Sequence, residues 1–149
     1  MIEMKLLAIQ PERDKNANFL SNPHTKDAID MAISYYSVIG YNRPWICYLS
    51  MVDTEIVGVG AFKGQPQNGK VEIAYSTFEP FREQGFATKI CGALVDLAIA
   101  SDQQIYITAR TLREENPSTS VLKKNGFLMT GEVLDPEDGL VWEWVFNKQ

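Results

Sequence analysis

The strongest constraint on this chain is a stripe of apolar residues, Ala87, Ile90, Cys91, Leu94, Val95 and Ala98, that recurs at helical spacing across 85–101. A β-rich run, Val71 to Phe78, precedes it, and another follows in which Ile105, Ile107 and Ala109 alternate with Tyr106 and Thr108. Strand, one-sided helix, strand is the pattern of a crossover, so the helix is expected to cover a sheet that contains both flanking strands. The rest of the fold must be compatible with that unit.

Upstream, Trp45 to Val52 and Ile56 to Lys63 flank the turn Asp53-Thr54-Glu55, and Gln67-Asn68-Gly69 signals a second turn before Val71, which predicts an antiparallel meander. Met4 to Ile9 reads as a strand, and Pro11 with Glu12 and Asp14 predicts a helix running toward Leu20. A second helix, capped by Asn22 or Thr25, carries the stripe Ile29, Ala32, Ile33 and Tyr36 and ends at Gly40. Downstream, Asn116-Pro117 opens a short helix, Asn125-Gly126 stops it, and Phe127 to Val133 and Leu140 to Phe146 are closing strands. The order β-α-α-β-β-β-α-β-α-β-β predicts an α/β fold, a mixed sheet covered by helices on both faces. With no repeat and no linker-like stretch, residues 1–149 are expected to share one core as a single domain.

Composition narrows the function. The formal charge of −5 disfavours an extended phosphate-tracking surface, so nucleic acid is not an expected partner. No apolar run approaches the roughly 18 residues that span a bilayer, and Met1-Ile2-Glu3-Met4-Lys5 lacks a signal peptide's basic flank, so no membrane is expected and the location is expected to be cytoplasmic. Cys47 and Cys91 lie in apolar segments without CxxC spacing, and His24 is the single histidine, so no metal site is expected.

The chemistry-bearing segment is Arg82-Glu83-Gln84-Gly85-Phe86-Ala87-Thr88, between a strand and a long helix. Its small residues let backbone N–H groups approach a ligand where the helix dipole is positive, which suits a pyrophosphate; alternatively Gly85 simply relieves a tight turn. No GxxxxGK[ST] loop exists, and Gly58 and Gly60 lie inside a strand, which disfavours a nucleotide or flavin fold.

Taken together, Val71-Glu72-Ile73-Ala74-Tyr75-Ser76, then Arg82-x-x-Gly85-x-Ala87, then Asn116-Pro117-Ser118-Thr119-Ser120-Val121-Leu122 closing on Lys124-Asn125-Gly126-Phe127 resemble the GNAT N-acetyltransferase superfamily. The middle block is similar to the family's Arg/Gln-x-x-Gly-x-Gly/Ala signature for acetyl-CoA. The resemblance covers about residues 44 to 147, and Phe62-Lys63-Gly64 and Asp135-Pro136-Glu137-Asp138-Gly139 resemble an uncharacterised bacterial branch. Residues 1 to 43 match only in the order of elements.

The resemblance implies a mostly antiparallel sheet whose fourth and fifth strands splay apart into a cleft for the pantetheine arm of acetyl-CoA, the cosubstrate. Tyr75, Ser76, Thr77 and Phe78 would line the open strand edge, and Arg82, Gln84, Gly85, Phe86, Ala87 and Thr88 would surround the pyrophosphate. It implies that Glu72, the acid within the fourth strand, is the base that deprotonates an acceptor amine. Glu72 alternates with Ile73 and Tyr75, so it is either this base or an exposed strand residue paired across the sheet. A backbone N–H near Ser76 would stabilise the oxyanion. Many relatives carry a tyrosine as general acid where this chain has Leu122, leaving Tyr75, Tyr106 or a water relayed through Asn116, Ser118 or Ser120. Asn116 is equally explained as a helix cap. The implied activity is direct transfer, in a ternary complex, to a primary amine of a small molecule, peptide or protein, by a monomer or homodimer. The alternative is an acyl-CoA-binding sensor with little catalysis. His24, Tyr35, Tyr36, Tyr41, Trp45, Trp142 and Trp144 are candidates for the acceptor wall, or for the core.

Overall fold

A computed structural model describes residues 3–148 of the chain; Met1, Ile2 and Gln149, which the single-domain expectation included, lie outside the described residues. The strands are β1 (Met4–Ala8), β2 (Cys47–Val52), β3 (Glu55–Phe62), β4 (Lys70–Thr77), β5 (Tyr106–Thr111), β6 (Phe127–Asp135) and β7 (Gly139–Phe146). The helices are α1 (Pro23–Ile39), α2 (Phe86–Ser101) and α3 (Pro117–Lys124). The sheet has seven strands in the order β1-β2-β3-β4-β5-β7-β6, antiparallel at every step except β4 to β5, which is parallel. The mostly antiparallel α/β architecture expected from sequence is the one observed.

Local chemistry explains the main boundaries. Asn68 and Gly69 both take positive φ, 53° and 76°, as a two-residue hairpin turn that matches strand twist requires, while Gln67 and Lys70 pair across it. Asn22 caps α1, its side chain accepting from the N–H groups of His24 and Thr25, with Pro23 in the first turn. One expectation fails: 11–20 forms no α-helix but a kinked 3-10 segment, Arg13–Phe19. The buried Asn16 side chain accepts from the N–H of Gln10 and donates to the carbonyls of Gln10 and Glu12, and these local bonds displace the helical ones.

The two long helices lie on opposite faces. Gly60 clears a place for α2: a Cβ there would lie 2.7 Å from Ile90 Cγ2 and 3.1 Å from a Leu94 methyl. Gly60 pairs with Tyr75, so Tyr75 shares the α2 face, whereas Glu72, Ala74 and Ser76 point the other way. On that other face Ala74 is in register with Ala61 and Cys47, and the α1 residue Tyr36 interacts electrostatically with Cys47. His24, at the start of α1, stacks on Phe78 with ring centroids 5.5 Å apart, and Ile39, at its end, lies beside Gly64. The ends of α1 thus lie near the two ends of β4, but the helix does not cover the strand: Ala74 and Ser76 stay exposed on this face. Tyr36 is buried with its hydroxyl on the carbonyl of Phe62, and Trp144 is buried with its indole N–H on Thr111 Oγ1, so both serve the core.

Gly60→Ala is expected to destabilise the fold by about 1–3 kcal/mol through overpacking against Ile90 and Leu94. Gly58→Ala is expected to cost at least as much, since its Cβ would meet the Ser76 carbonyl oxygen, a backbone atom with no rotamer to escape into. Urea unfolding with an unchanged slope and a lowered midpoint would register both.

Candidate active site

The parallel pairing of β4 with β5 has only three rungs, Lys70 with Tyr106, Val71 with Ile107 and Glu72 with Thr108. Beyond Glu72 the strands diverge, β4 staying with β3 and β5 with β7. The free edge can be assigned residue by residue. Lys63 N–H donates to the Glu72 carbonyl and Phe78 N–H to that of Val57, so even-numbered residues of β4 direct their backbone groups to β3. Odd-numbered residues face β5: the Ile73 N–H closes the last rung on the Thr108 carbonyl, and beyond it the Ile73 C=O and the N–H and C=O of Tyr75 and Thr77 are presented to the cleft. The Thr77 carbonyl is met there by Arg82 Nε at 3.3 Å. Ser76 spends its own N–H on β3; the amides near it that face the cleft are those of Tyr75 and Thr77.

This edge leads directly to the start of α2. Gly85 is the N-cap in a left-handed conformation with φ 82°, and no side chain caps the helix. The first N–H groups of α2 are thus left without intrahelical partners, at the positive end of the dipole. Glu83, with φ 63°, and Gly85 supply the left-handed turns from which anion-cupping backbone is built. A Cβ on Gly85 would meet nothing within 4 Å, so open space lies over this loop. Phe86 differs from its neighbours: its ring is buried with Val52 and Val57, leaving only its backbone to the loop. Gln84 turns its side-chain amide to the Pro80 carbonyl at 3.5 Å, whereas Ala87 and Thr88 are half-buried in the first turn.

The opposite arm of the cleft is β5 followed by α3. Tyr75 donates its hydroxyl across the gap to the Ser118 carbonyl at 3.2 Å, and burial pushes its phenol far above the ordinary range. Asn116 caps α3, accepting from the Thr119 N–H at 3.1 Å while Thr119 Oγ1 accepts from the Asn116 N–H, so its side-chain oxygen is committed to the helix end. Leu122 is fully buried. Tyr106 stands outside the cleft, on the rung with Lys70, its ring beneath the Lys148 ammonium. Burial raises both thiols, Cys47 and Cys91, to about 12.

On the α1 face, sequence reasoning found Glu72 but missed its company. Glu72 lies 3.4 Å from Lys63 Nζ and 3.9 Å from Arg110 Nε. Arg110 also reaches Asp135 at 3.0 Å and Glu143 at 3.4 Å. These five groups come from five different strands or strand ends, β3 to β7, and meet because β4, β5 and β7 are adjacent. The sequence signal was the Asp-Pro-Glu-Asp-Gly turn: Asp135 Oδ1 accepts from the N–H groups of Glu137 and Asp138, closing the β6–β7 hairpin. Among the described residues no cluster suits a metal ion, and no helix is long and apolar enough to cross a membrane.

Residues 4–128 match the family described as the Acetyltransferase (GNAT) domain. This chain belongs to the GNAT family. An uncharacterized N-acetyltransferase of Bacillus subtilis (strain 168), YjdG, is 33% identical over 76 residues, which are 50% of this chain and 45% of that protein, so the match spans under half of that relative. A ribosomal L7/L12 alpha-N-protein acetyltransferase, RimL, solved with coenzyme A, superposes with a TM-score of 0.67 at 20% identity, covering 95% of this chain and 92% of that one. The aminoglycoside acetyltransferase AAC(6')-Ib, also with coenzyme A, gives 0.68 at 18% identity over 100% and 96% of the two chains. The mostly antiparallel sheet with its splayed β4 and β5 is consistent with that fold.

Three donors hold Asp135 below its ordinary 3.8, at about 2: the N–H of Glu137 first, then Arg110, then the N–H of Asp138. A depressed carboxyl pKa stabilises the fold above the unfolded value, and that stabilisation disappears as pH falls through the folded one. The wild type is expected to lose this contribution between about pH 4 and pH 2. Asp135→Asn is expected to be less stable at neutral pH and to lose less in that acid window, as followed by thermal melts across pH.

Proposed function

We propose that the chain, acting as one unit over 1–149, transfers an acetyl group from acetyl-CoA directly to a primary amine. The observation that carries this reading is the open strand edge beyond the last rung, at Tyr75 and Thr77, leading to the uncapped first turn of α2. An amide-containing arm can pair with the free strand edge while a pyrophosphate sits on the helix end. Arg82, between the two, orders the corner by bonding the Thr77 carbonyl. RimL and AAC(6')-Ib, both solved with coenzyme A, support the same assignment for the cleft.

Bound there, acetyl-CoA supplies a thioester whose C–S bond breaks as the amine forms its N–C bond. The chain's own contribution is to orient, to take one proton and to exclude competing nucleophiles. Cleft-facing N–H groups of Tyr75 and Thr77 are the donors able to steady the acyl oxygen. Glu72, on the last paired rung, reaches the α1 face, from which an amine can approach, and accepts its proton directly or through water. The leaving sulfur takes a proton from water, because Leu122 has none and the Tyr75 hydroxyl is engaged with Ser118. Direct transfer follows from the two thiols, both buried and both of high pKa, which leaves neither suited to carry an acyl group. Those same features favour, as the second reading, an acyl-CoA sensor with little turnover; release of free thiol in the presence of amines separates the two.

Gly85→Glu is expected to weaken coenzyme A binding by at least about tenfold, whereas Gly85→Asn, which tolerates the left-handed turn without adding charge, is expected to retain most of it. Unchanged calorimetric affinity for a folded Gly85→Glu protein would remove the phosphate site from this loop. Glu72→Gln is expected to lower turnover most near neutral pH, with partial recovery as rising pH frees the amine of its proton. Identical pH–rate profiles for the two proteins would take Glu72 out of the mechanism.

A further inference from the structure

The α1 face of the cleft holds a pocket of about 320 Å³ whose floor is Glu72, Thr108, Arg110 and Glu143 and whose rim is the 63–70 segment. Glu72 and Thr108 form the last rung before the strands part, and Arg110 pairs in register with Glu143, so the floor lies at the apex of the cleft on the face away from α2. An amine lying here is beside the point toward which the free edge of β4 converges.

Charge is not evenly spread in this pocket. At one end a single guanidinium, Arg110, is shared by three carboxylates, Glu72, Asp135 and Glu143, with Lys63 the one further cation, on Glu72. Three acids against two bases leave that end short of one positive charge. Asp135 is buried and fully bonded to Arg110 and to backbone, so the unmet demand falls on Glu72 and Glu143, which are about one-fifth exposed. At the other end the Lys70 side chain has no acid within ion-pair distance among the described residues, and Gln65 and Gln67 bring neutral amide donors to the same rim. Lys70 shares the Glu72 face of β4 by strand alternation. The pocket is therefore anionic at the strand apex and cationic at the rim.

Resting on the acetyltransfer reading above, we propose that the acceptor is a small amino carboxylic acid, held with its amine at Glu72 and Glu143 and its carboxylate at Lys70. Size agrees: the volume lies at the small end for ligand pockets and gives ample room for an amino acid. A polycation would bring like charge against Lys70 and Lys63. The reaction balances with this occupant: the bound ammonium loses one proton through Glu72 to solvent, the amine loses a second as it gains an N–C bond, the C–S bond breaks, and the leaving sulfur takes up one proton. The product is an N-acetyl acid without an ammonium, so it loses its attraction for Glu72 and Glu143 and retains only the rim contact, which favours release.

The test compares the common L-amino acids with their α-amides, beside spermidine and kanamycin, in acetyl-CoA-dependent thiol release and in direct calorimetric binding without the acyl donor. The wild type is expected to prefer at least one free acid over its amide by about fivefold or more in both measurements, the size of one exposed charge contact. Lys70→Glu, an exposed substitution, is expected to raise the KM for that acid by about five- to tenfold with kcat within about twofold, and to abolish or reverse the preference for acid over amide. Equal binding of acids and amides, or preferential acetylation of spermidine or kanamycin, would overturn the inference while leaving an acetyltransferase. Failure of coenzyme A to bind would instead strike at the acetyltransfer reading itself; the acid-against-amide binding comparison needs no acyl donor and still decides the pocket's preference.

Discussion

The short parallel contact between β4 and β5 is the constraint from which the rest of the molecule takes its shape. Three rungs are enough to hold two halves of a sheet in one plane, and too few to satisfy the remainder of either strand. The backbone groups left over are the Ile73 C=O and the N–H and C=O of Tyr75 and Thr77; apart from the Thr77 carbonyl, which Arg82 meets, they must find partners in solvent or in a ligand. Had the pairing run on to Thr77 and Thr111, the sheet would be complete and the cleft would not exist. The crossover helix makes this arrangement possible, because α2 packs on Gly58 and Gly60 of β3 closely enough to cover the sheet while its first turn stays at the mouth of the gap.

Much of this was legible from residues alone, for reasons that differ from element to element. α2 announces itself because its buried positions repeat for four turns, and the β3–β4 hairpin because Asn68-Gly69 is chemically suited to two left-handed residues in succession. The 11–20 stretch misleads because proline followed by acids is a helix-start signal, whereas the outcome is decided by Asn16, whose side chain ties up backbone on both sides of the turn. Propensity does not register such a bond.

The site divides in the same way. Arg82, Gly85 and the turn between them are consecutive, so their chemistry can be read from one segment. The Lys63, Glu72, Arg110, Asp135 and Glu143 group cannot, since each residue is unremarkable in its own neighbourhood and acquires a role only when β4, β5 and β7 are laid side by side. Alternation did reveal that Glu72 and Tyr75 face opposite sides, and the two sides prove to carry different chemistry: a nearly neutral one under α2 and α3, and a charged one under α1.

The hydroxyl of Tyr75, resting on the carbonyl of Ser118, joins the two arms that the missing rungs allow to separate. The ring of Tyr75 is half-buried against the core, while its hydroxyl bond to Ser118 lies at the exposed mouth of the gap. A gap braced in this manner has its width restrained before a ligand enters. Whatever enters it finds its walls already in place, and the entropy of ordering them has been lost before the encounter. Shape at the cleft and cohesion of the core beneath it are for this reason one property: a substitution that loosens the packing around Tyr75 would blur the aperture without touching any group that handles a proton.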